Sequence, residues 1–274
     1  MPDMNAVVGR HDLLLVTLDT LRYDVAAELV ACGRTPQLAA VLPGGAWERR
    51  HTPASFTYAA HHAFFAGFLP TPAGPGPHHR LFAARFPGSE TTGAGTWVFD
   101  TPDLVTGLAK AGYHTVCIGG VGFFNQLSPL GTVLPGLFAE SHWEPAFGVT
   151  NPASTRCQVD RAADVLAHND RPLFLFLNVS ALHQPNYHYL TGATVDTRDS
   201  HAAALEYVDG HLGRLFAAFS ARDRPCFTIV CSDHGTAYGE DGYAGHRIAH
   251  ETVWTVPYAD FVLEAGVDAP TPHA

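Results

Sequence analysis

The chain has 274 residues, enough for one α/β domain with a large core, and it is 46% hydrophobic and 15% charged with a formal net charge of -10. That balance excludes a disordered chain, and the lack of any lysine- or arginine-rich run argues against a nucleic-acid backbone or an anionic membrane as partner, since both need a basic footprint. A small anionic substrate would have to be met locally, by a metal and a few aimed donors.

The N-terminal stretch MPDMNAVVGRHD carries acids and no signal-type apolar run. Cys32, Cys117, Cys157, Cys226 and Cys231 are odd in number and lack C-x-x-C spacing. With no apolar run approaching a membrane span, these features lead to the expectation of a soluble, cytoplasmic protein with reduced thiols. Taken in chain order, residues 13–18 form the first short apolar run, followed by a helix from Thr57 to a closing Gly67. A Pro- and Gly-rich excursion covers about 70–79. Thr101-Pro102 then reads as N-cap and first helical residue of an amphipathic helix that Gly112 closes. Residues 115–118 are a strand, about 128–151 a second excursion, and 173–179 a further strand. A helix over 201–219 puts Leu205, Val208, Leu212, Leu215, Phe216 and Phe219 on one face, before strands at 227–230 and 258–263. Near-continuous apolar strands alternating with helices predict a doubly wound, mostly parallel α/β sheet in a single domain spanning 1–274, with its core at about 12–264.

Three polar motifs sit where such a sheet collects chemistry, beyond the carboxyl ends of its strands. The run LLLVTLDT ends in Asp19-Thr20, and a carboxylate there can hold a hard cation or serve as a turn or helix cap. The run CFTIVCSDHG ends in Asp233-His234-Gly235, where adjacent carboxylate and imidazole can turn toward one metal and the glycine lets the chain leave sharply. Thr57 reads as the N-cap of its helix, with its hydroxyl at the positive end of the helix dipole and His61 one turn along the same face. An ordinary capping threonine gives the same pattern.

Together these motifs resemble the sulfatase-like branch of the alkaline phosphatase superfamily. The resemblance rests on Asp-Thr-Leu-Arg-x-Asp from Asp19, a helix-start nucleophile, Ser-Asp-His-Gly ending at Gly235, and Glu251 ahead of Val256-Pro257. GFLP from Gly67 matches the family's T-G-x-x-P-like motif, and ten residues before its glycine stands Thr57. LVTGLAKAGYHT, FLFLNVSALHQPNYHY and EYVDGHLGRLF extend the match over nearly the whole chain, to about residue 263. The resemblance implies that Asp19, Asp233, His234 and the Thr57 oxygen hold one divalent metal. The mixed carboxylate–imidazole set suits Mn2+ or Zn2+ better than Ca2+. A second metal is left in doubt, because Asn178 and His183 do not fit the family's further Asp-x-x-x-His pair.

His61, His183 and His246 fall at anion-binding positions, His61 in place of an arginine and His246 in place of a Lys or His. Thr57 cannot be converted to formylglycine, so the resemblance favours phosphate-ester hydrolysis through a metal-activated Thr57 and a phosphothreonine intermediate. Transfer of the phosphoryl group, hydrolysis of a sulfate or phosphonate ester, or a non-catalytic scaffold that keeps the fold are the alternatives, and a homo-oligomer is left open. Thr20 is expected as an outer ligand or donor, Arg22 and Asp24 as an ion pair or caps, His62, His188 and His250 as bystanders, and His78, His79, His201 and His211 as solvated.

Overall fold

A computed structural model describes residues 2–67 and 103–266, together with the backbone of two short strands, Phe82–Ala83 and Trp97–Val98. The expected excursion over 70–79, Thr101-Pro102, His78 and His79 lie outside the described residues. The main sheet has seven strands: β1 Asp12–Leu18, β2 Glu48–His51, β3 His114–Ile118, β4 Glu140–His142, β5 Leu173–Val179, β6 Cys226–Cys231 and β7 Thr255–Leu263. Their order across the sheet is β2-β7-β6-β1-β5-β3-β4. All five expected apolar runs are strands, and β1, β3, β4, β5 and β6 run parallel. β7 is antiparallel to β6, and β2 to β7, so that edge of the sheet turns back on itself. The segment 128–151, expected as an excursion, instead contributes β4 as the opposite edge strand; three residues without an apolar run leave no periodic signal to read.

Helices cover both faces, as buried strands on both sides require. On one face lie α1 Tyr23–Ala31, α2 Pro36–Val41, α5 Ser154–Ala167 and α6 Arg198–Ser220, packed on Leu14, Val16, Leu175 and Leu177. α3 Thr57–Ala66 and α4 Leu104–Lys110 cover the other face, where Leu15, Phe174, Phe176 and Phe227 meet Phe65, Phe124 and Phe138. Each such side chain, fully buried, contributes about 1.5–3 kcal/mol. α4 is capped by Asp103, whose carboxylate accepts from Thr106 N, so the helix begins two residues later than a Pro102 start would have it. Gly112 closes it with φ +95°. α6 begins earlier than expected, at a capping box formed by Thr197 and Ser200.

Strand alternation then places the chemistry. Odd residues of β1 and even residues of β5 face α3, so the rows Leu13–Leu15 and Phe174–Phe176 continue as Thr17, Asp19 and Asn178. The register pairs Thr17 with both Asn178 and Cys231, which brings the ends of the three central strands side by side. At the other end of the sheet, buried Asp12 accepts from Leu173 N at 2.8 Å and from Arg222 Nε at 2.5 Å, tying β1, β5 and the exit of α6 together. Arg222→Met removes the nearer of that carboxylate's two counter-charges, leaving Arg224 at 3.9 Å. Urea unfolding is expected to show a loss of about 3–5 kcal/mol, and a loss below 1 kcal/mol would contradict the anchoring role.

Candidate active site

The carboxyl ends of β1 and β6 carry Asp19 and Asp233-His234, all three with no solvent exposure. One donor atom of each lies within 4.8 Å of the other two, the one such cluster of metal-ligating side chains among the described residues. His234 is held in a single tautomer: its Nδ1–H donates to Gly235 O at 2.9 Å, so the Nε2 lone pair faces the carboxylates, 3.5 Å from Asp233 Oδ2. Asp19 Oδ1 and Asp233 Oδ2 are buried without a hydrogen-bond partner. Burial raises Asp19 to about 6, with the neighbouring Asp233 charge adding to it, and burial raises Asp233 to about 7. Burial also lowers His234, keeping its imidazole neutral. Two partnerless carboxylate oxygens and an imidazole lone pair converging on one point fit a divalent cation, which would remove the cost of leaving those oxygens bare.

Thr57 stands at this point. It is the first residue of α3 and not its cap, which is Phe56 in an extended conformation with no side-chain capping bond. Its hydroxyl is thereby free to turn inward, where it lies 3.4 Å from Asp19 Oδ2, as donor, and 3.2 Å from His234 Nε2. Gly67 ends α3 at φ +77°, as expected.

His61 is placed differently from the expectation. It has no exposure and is packed edge-on against Phe64, Phe124 and Phe176, with burial holding it at about 3. Its Nδ1–H donates to Thr57 O at 2.7 Å, and its Nε2 accepts from Thr17 Oγ1 at 3.1 Å. Thr17 Oγ1 accepts in turn from Asn178 Nδ2, which also donates to Asp19 Oδ2, each at 3.2 Å. His61 is therefore engaged at both nitrogens beneath the site and braces the Thr57 backbone against a metal-ligand candidate. Asn178, which the motifs offered only as a mismatch, is the hub of this brace.

His183 and His246 are half-buried at the open side, with ring centroids 5.5 Å apart, and His246 lies 4.7 Å from His234. His183 Nδ1–H donates to Gln184 O at 2.6 Å, leaving Nε2 outward, while His246 Nδ1 has no partner and burial lowers that imidazole to about 3. Thr20, in left-handed backbone at φ +65°, gives its N–H to Asp233 Oδ1 and its hydroxyl to Leu182 O, a support and not a ligand. Arg22 pairs with Asp24 and Glu240 away from the trio. His62 packs on Tyr58, His188 on Tyr189, and His211 on Tyr207. His250 caps α7, Glu251–Trp254. His201 is fully buried against Tyr238, contrary to the expectation of a solvated residue. A cavity of about 480 Å³ lined by His114, Glu140, His142 and Arg161 lies at the amino end of the parallel strands and takes no part in this site.

The sulfatase family model matches residues 11–259. The chain belongs to the sulfatase family. No match appears among curated proteins. Among solved structures, the soluble domain of lipooligosaccharide phosphoethanolamine transferase A from Neisseria meningitidis superposes with TM-score 0.66 at 18% identity, covering 93% of this chain and 77% of that one. The C-terminal periplasmic domain of EcEptC from Escherichia coli, a complex with Zn, gives TM-score 0.64 at 14% identity, with coverage of 93% and 73%. The lipoteichoic acid synthase LtaP from Listeria monocytogenes gives 0.62 at 14%, with coverage of 97% and 68%. The α/β fold of this sulfatase-family chain is thus the alkaline phosphatase/sulfatase-like one. The expectation of a cytoplasmic protein is corrected by the same comparison, in which periplasmic domains recur among the neighbours. No helix among the described residues is long and apolar enough to cross a membrane.

Two outcomes follow from the geometry. A Cβ on Gly235 would come within 2.0 Å of Thr252 O, so close approach, and not a sharp turn, is what requires glycine in the Asp-His-Gly motif. Gly235→Ala should displace α7 and cost about 1–3 kcal/mol or more in urea unfolding, and wild-type stability would contradict that contact. The second outcome concerns Asp233, whose folded pKa of about 7 exceeds its ordinary 3.8. The native state then binds more of this group's protons between those values, and the group's stabilising contribution is lost as pH rises through the window. Metal-free Asp233→Asn is expected to be more stable than metal-free wild type at pH 8 but not at pH 4, and to bind zinc far more weakly. Equal stability of the two proteins at pH 8 would refute the desolvated carboxylate.

Proposed function

We propose that the protein is a metal-dependent phosphate-ester hydrolase with Thr57 as nucleophile and a small anionic ester as substrate. The observation that carries this reading is the Thr57 hydroxyl, released from capping and set between Asp19 Oδ2 and His234 Nε2. Asp19, Asp233 and His234 would hold the metal, with the Thr57 oxygen as a further donor. Zinc is the first choice, because the donors are mixed carboxylate and imidazole and a fold neighbour was solved with Zn; Mn2+ is the other candidate. When bound, the cation supplies Lewis-acid charge that lowers the pKa of a hydroxyl and neutralises a developing oxyanion.

The chain's own residues do the rest. The Thr57 oxygen attacks phosphorus, and the bond from phosphorus to the leaving alcohol breaks. Water then cleaves the phosphothreonine, restoring the hydroxyl and releasing phosphate. The His61–Thr17–Asn178 brace holds the Thr57 backbone and Asp19 in register, which matters because phosphoryl transfer is mostly positioning and charge neutralisation. His183 and His246 face the open side, where they can hold non-bridging oxygens or pass a proton to the leaving oxygen.

A second reading, transfer of the phosphoryl-linked group to an alcohol, is favoured by the transferase names among the fold neighbours. It uses the same residues and differs only in the acceptor. A non-catalytic scaffold is disfavoured, since it would have no need of two buried carboxylates that each leave one oxygen without a partner.

Purified protein loaded with zinc or manganese is expected to release nitrophenol from chromogenic phosphate mono- or diesters. Thr57→Ala should lower the rate about 10³-fold or more with metal retained. Added alcohol that diverts product into a new ester would select transfer over hydrolysis. Metal-loaded wild type and Thr57→Ala of equal rate would sink the nucleophile assignment.

A further inference from the structure

Arg247 stands beside the site in a backbone conformation that a side chain rarely adopts. Its φ is +67°, in the left-handed region that favours glycine, although it is an arginine. Its N–H donates to Ser55 O at 2.8 Å, which clamps this loop to the chain two residues ahead of Thr57. The guanidinium carbon sits 5.6 Å from the ring centroid of Phe56, the N-cap residue of α3.

The side chain is exposed and forms no ion pair among the described residues, whereas Arg22 is taken up by Asp24 and Glu240, Arg49 by Glu251 and Arg50 by Glu48. Its immediate neighbour His246 presents an Nδ1 atom with no partner. The His246 ring lies 4.7 Å from that of His234, which places the Arg247 loop at the edge of the site. α3 is ten residues long, and no side chain caps its first turn.

These features meet at one place and have one chemistry in common. The two positions at which the family pattern suggests an anion-binding cation are His61 and His246 here; the first is sealed in the core, and the second is an imidazole, which carries no permanent charge. A tetrahedral oxyanion brought to Thr57 would then lack a permanent positive charge on the protein side of the cluster, unless Arg247 supplies it. A guanidinium fork matches paired oxygens on such an ion.

We propose that Arg247 is a substrate-binding residue, carried over the start of α3 by its left-handed backbone and braced on Phe56 so that its guanidinium takes non-bridging oxygens of the oxyanion that Thr57 attacks. The proposal rests on the reading of Thr57 as nucleophile and names the cation that accompanies it. The strained backbone is the counterpart of that role: glycine would fit the loop better but could not bind the ligand.

The test is binding of inorganic phosphate to the zinc-loaded full chain, followed by calorimetry, with Arg247→Met and Arg247→Gly as variants. Methionine keeps the apolar stem that lies on Phe56 and removes the charge, and glycine suits the left-handed conformation. Both are expected to weaken phosphate binding roughly tenfold or more while unfolding at about the wild-type temperature. Arg247→Met that binds phosphate as tightly as wild type overturns the proposal, as does zinc-loaded wild type that binds no phosphate. Turnover is not read, so a protein that binds phosphate through Arg247 yet cleaves no ester would refute Thr57 as nucleophile while leaving this assignment standing.

Discussion

Two buried carboxylates, each with one oxygen left without a donor, at the tips of adjacent parallel strands set the terms for everything around them. Ionising both Asp19 and Asp233 in that setting is costly without a cation, and the raised pKa values of both report the same cost. The surrounding elements supply what such a pair needs. Thr20 N–H and His234 N–H go to Asp233 Oδ1, Asn178 goes to Asp19 Oδ2, and the remaining oxygens are left for a metal. The left-handed turn at Thr20 and the close approach of Gly235 to Thr252 are the backbone concessions that bring those donors into place.

The nucleophile candidate depends on the same pair from the other side. The N-cap position of α3 is Phe56, which makes no side-chain cap, so the Thr57 hydroxyl is not spent on its own helix. Its carbonyl is fixed by His61, and through Thr17 and Asn178 that contact leads to Asp19. The chain of bonds requires one tautomer of His61, and burial among phenylalanines keeps that ring neutral and so keeps the chain intact. An arginine in this place could contribute charge but could not accept from Thr17. His61, expected to bind an anion, is a structural brace here, and the proposed positive charge lies instead at the rim.

Much of the fold was legible because parallel strands buried on both faces leave continuous apolar runs: all five such runs are strands. The edge strands β2 and β4 were not legible. ERRH is polar and exposed, and Glu140–His142 has no alternation, so their pairing comes from neighbours and not from their own composition. The direction of β7 was equally hidden, because an apolar run reads the same whichever way the chain crosses the sheet.

By itself the sequence determined which atoms can do chemistry here: an aspartate ending one apolar strand, Asp-His-Gly following another, and a threonine ten residues before a helix-closing glycine. Strand periodicity places such residues at the mouth of the sheet without reference to any long-range contact. The tertiary structure alone decided what each histidine does. Spacing on a helix puts His61 on the Thr57 face, but only the packing of Phe64, Phe124 and Phe176 around it shows that this face is turned into the core. In the same way Asn178 and Arg247 carry no motif of their own. Their places follow from strand register and from a loop clamped to Ser55, contacts between residues far apart in sequence that no local pattern encodes.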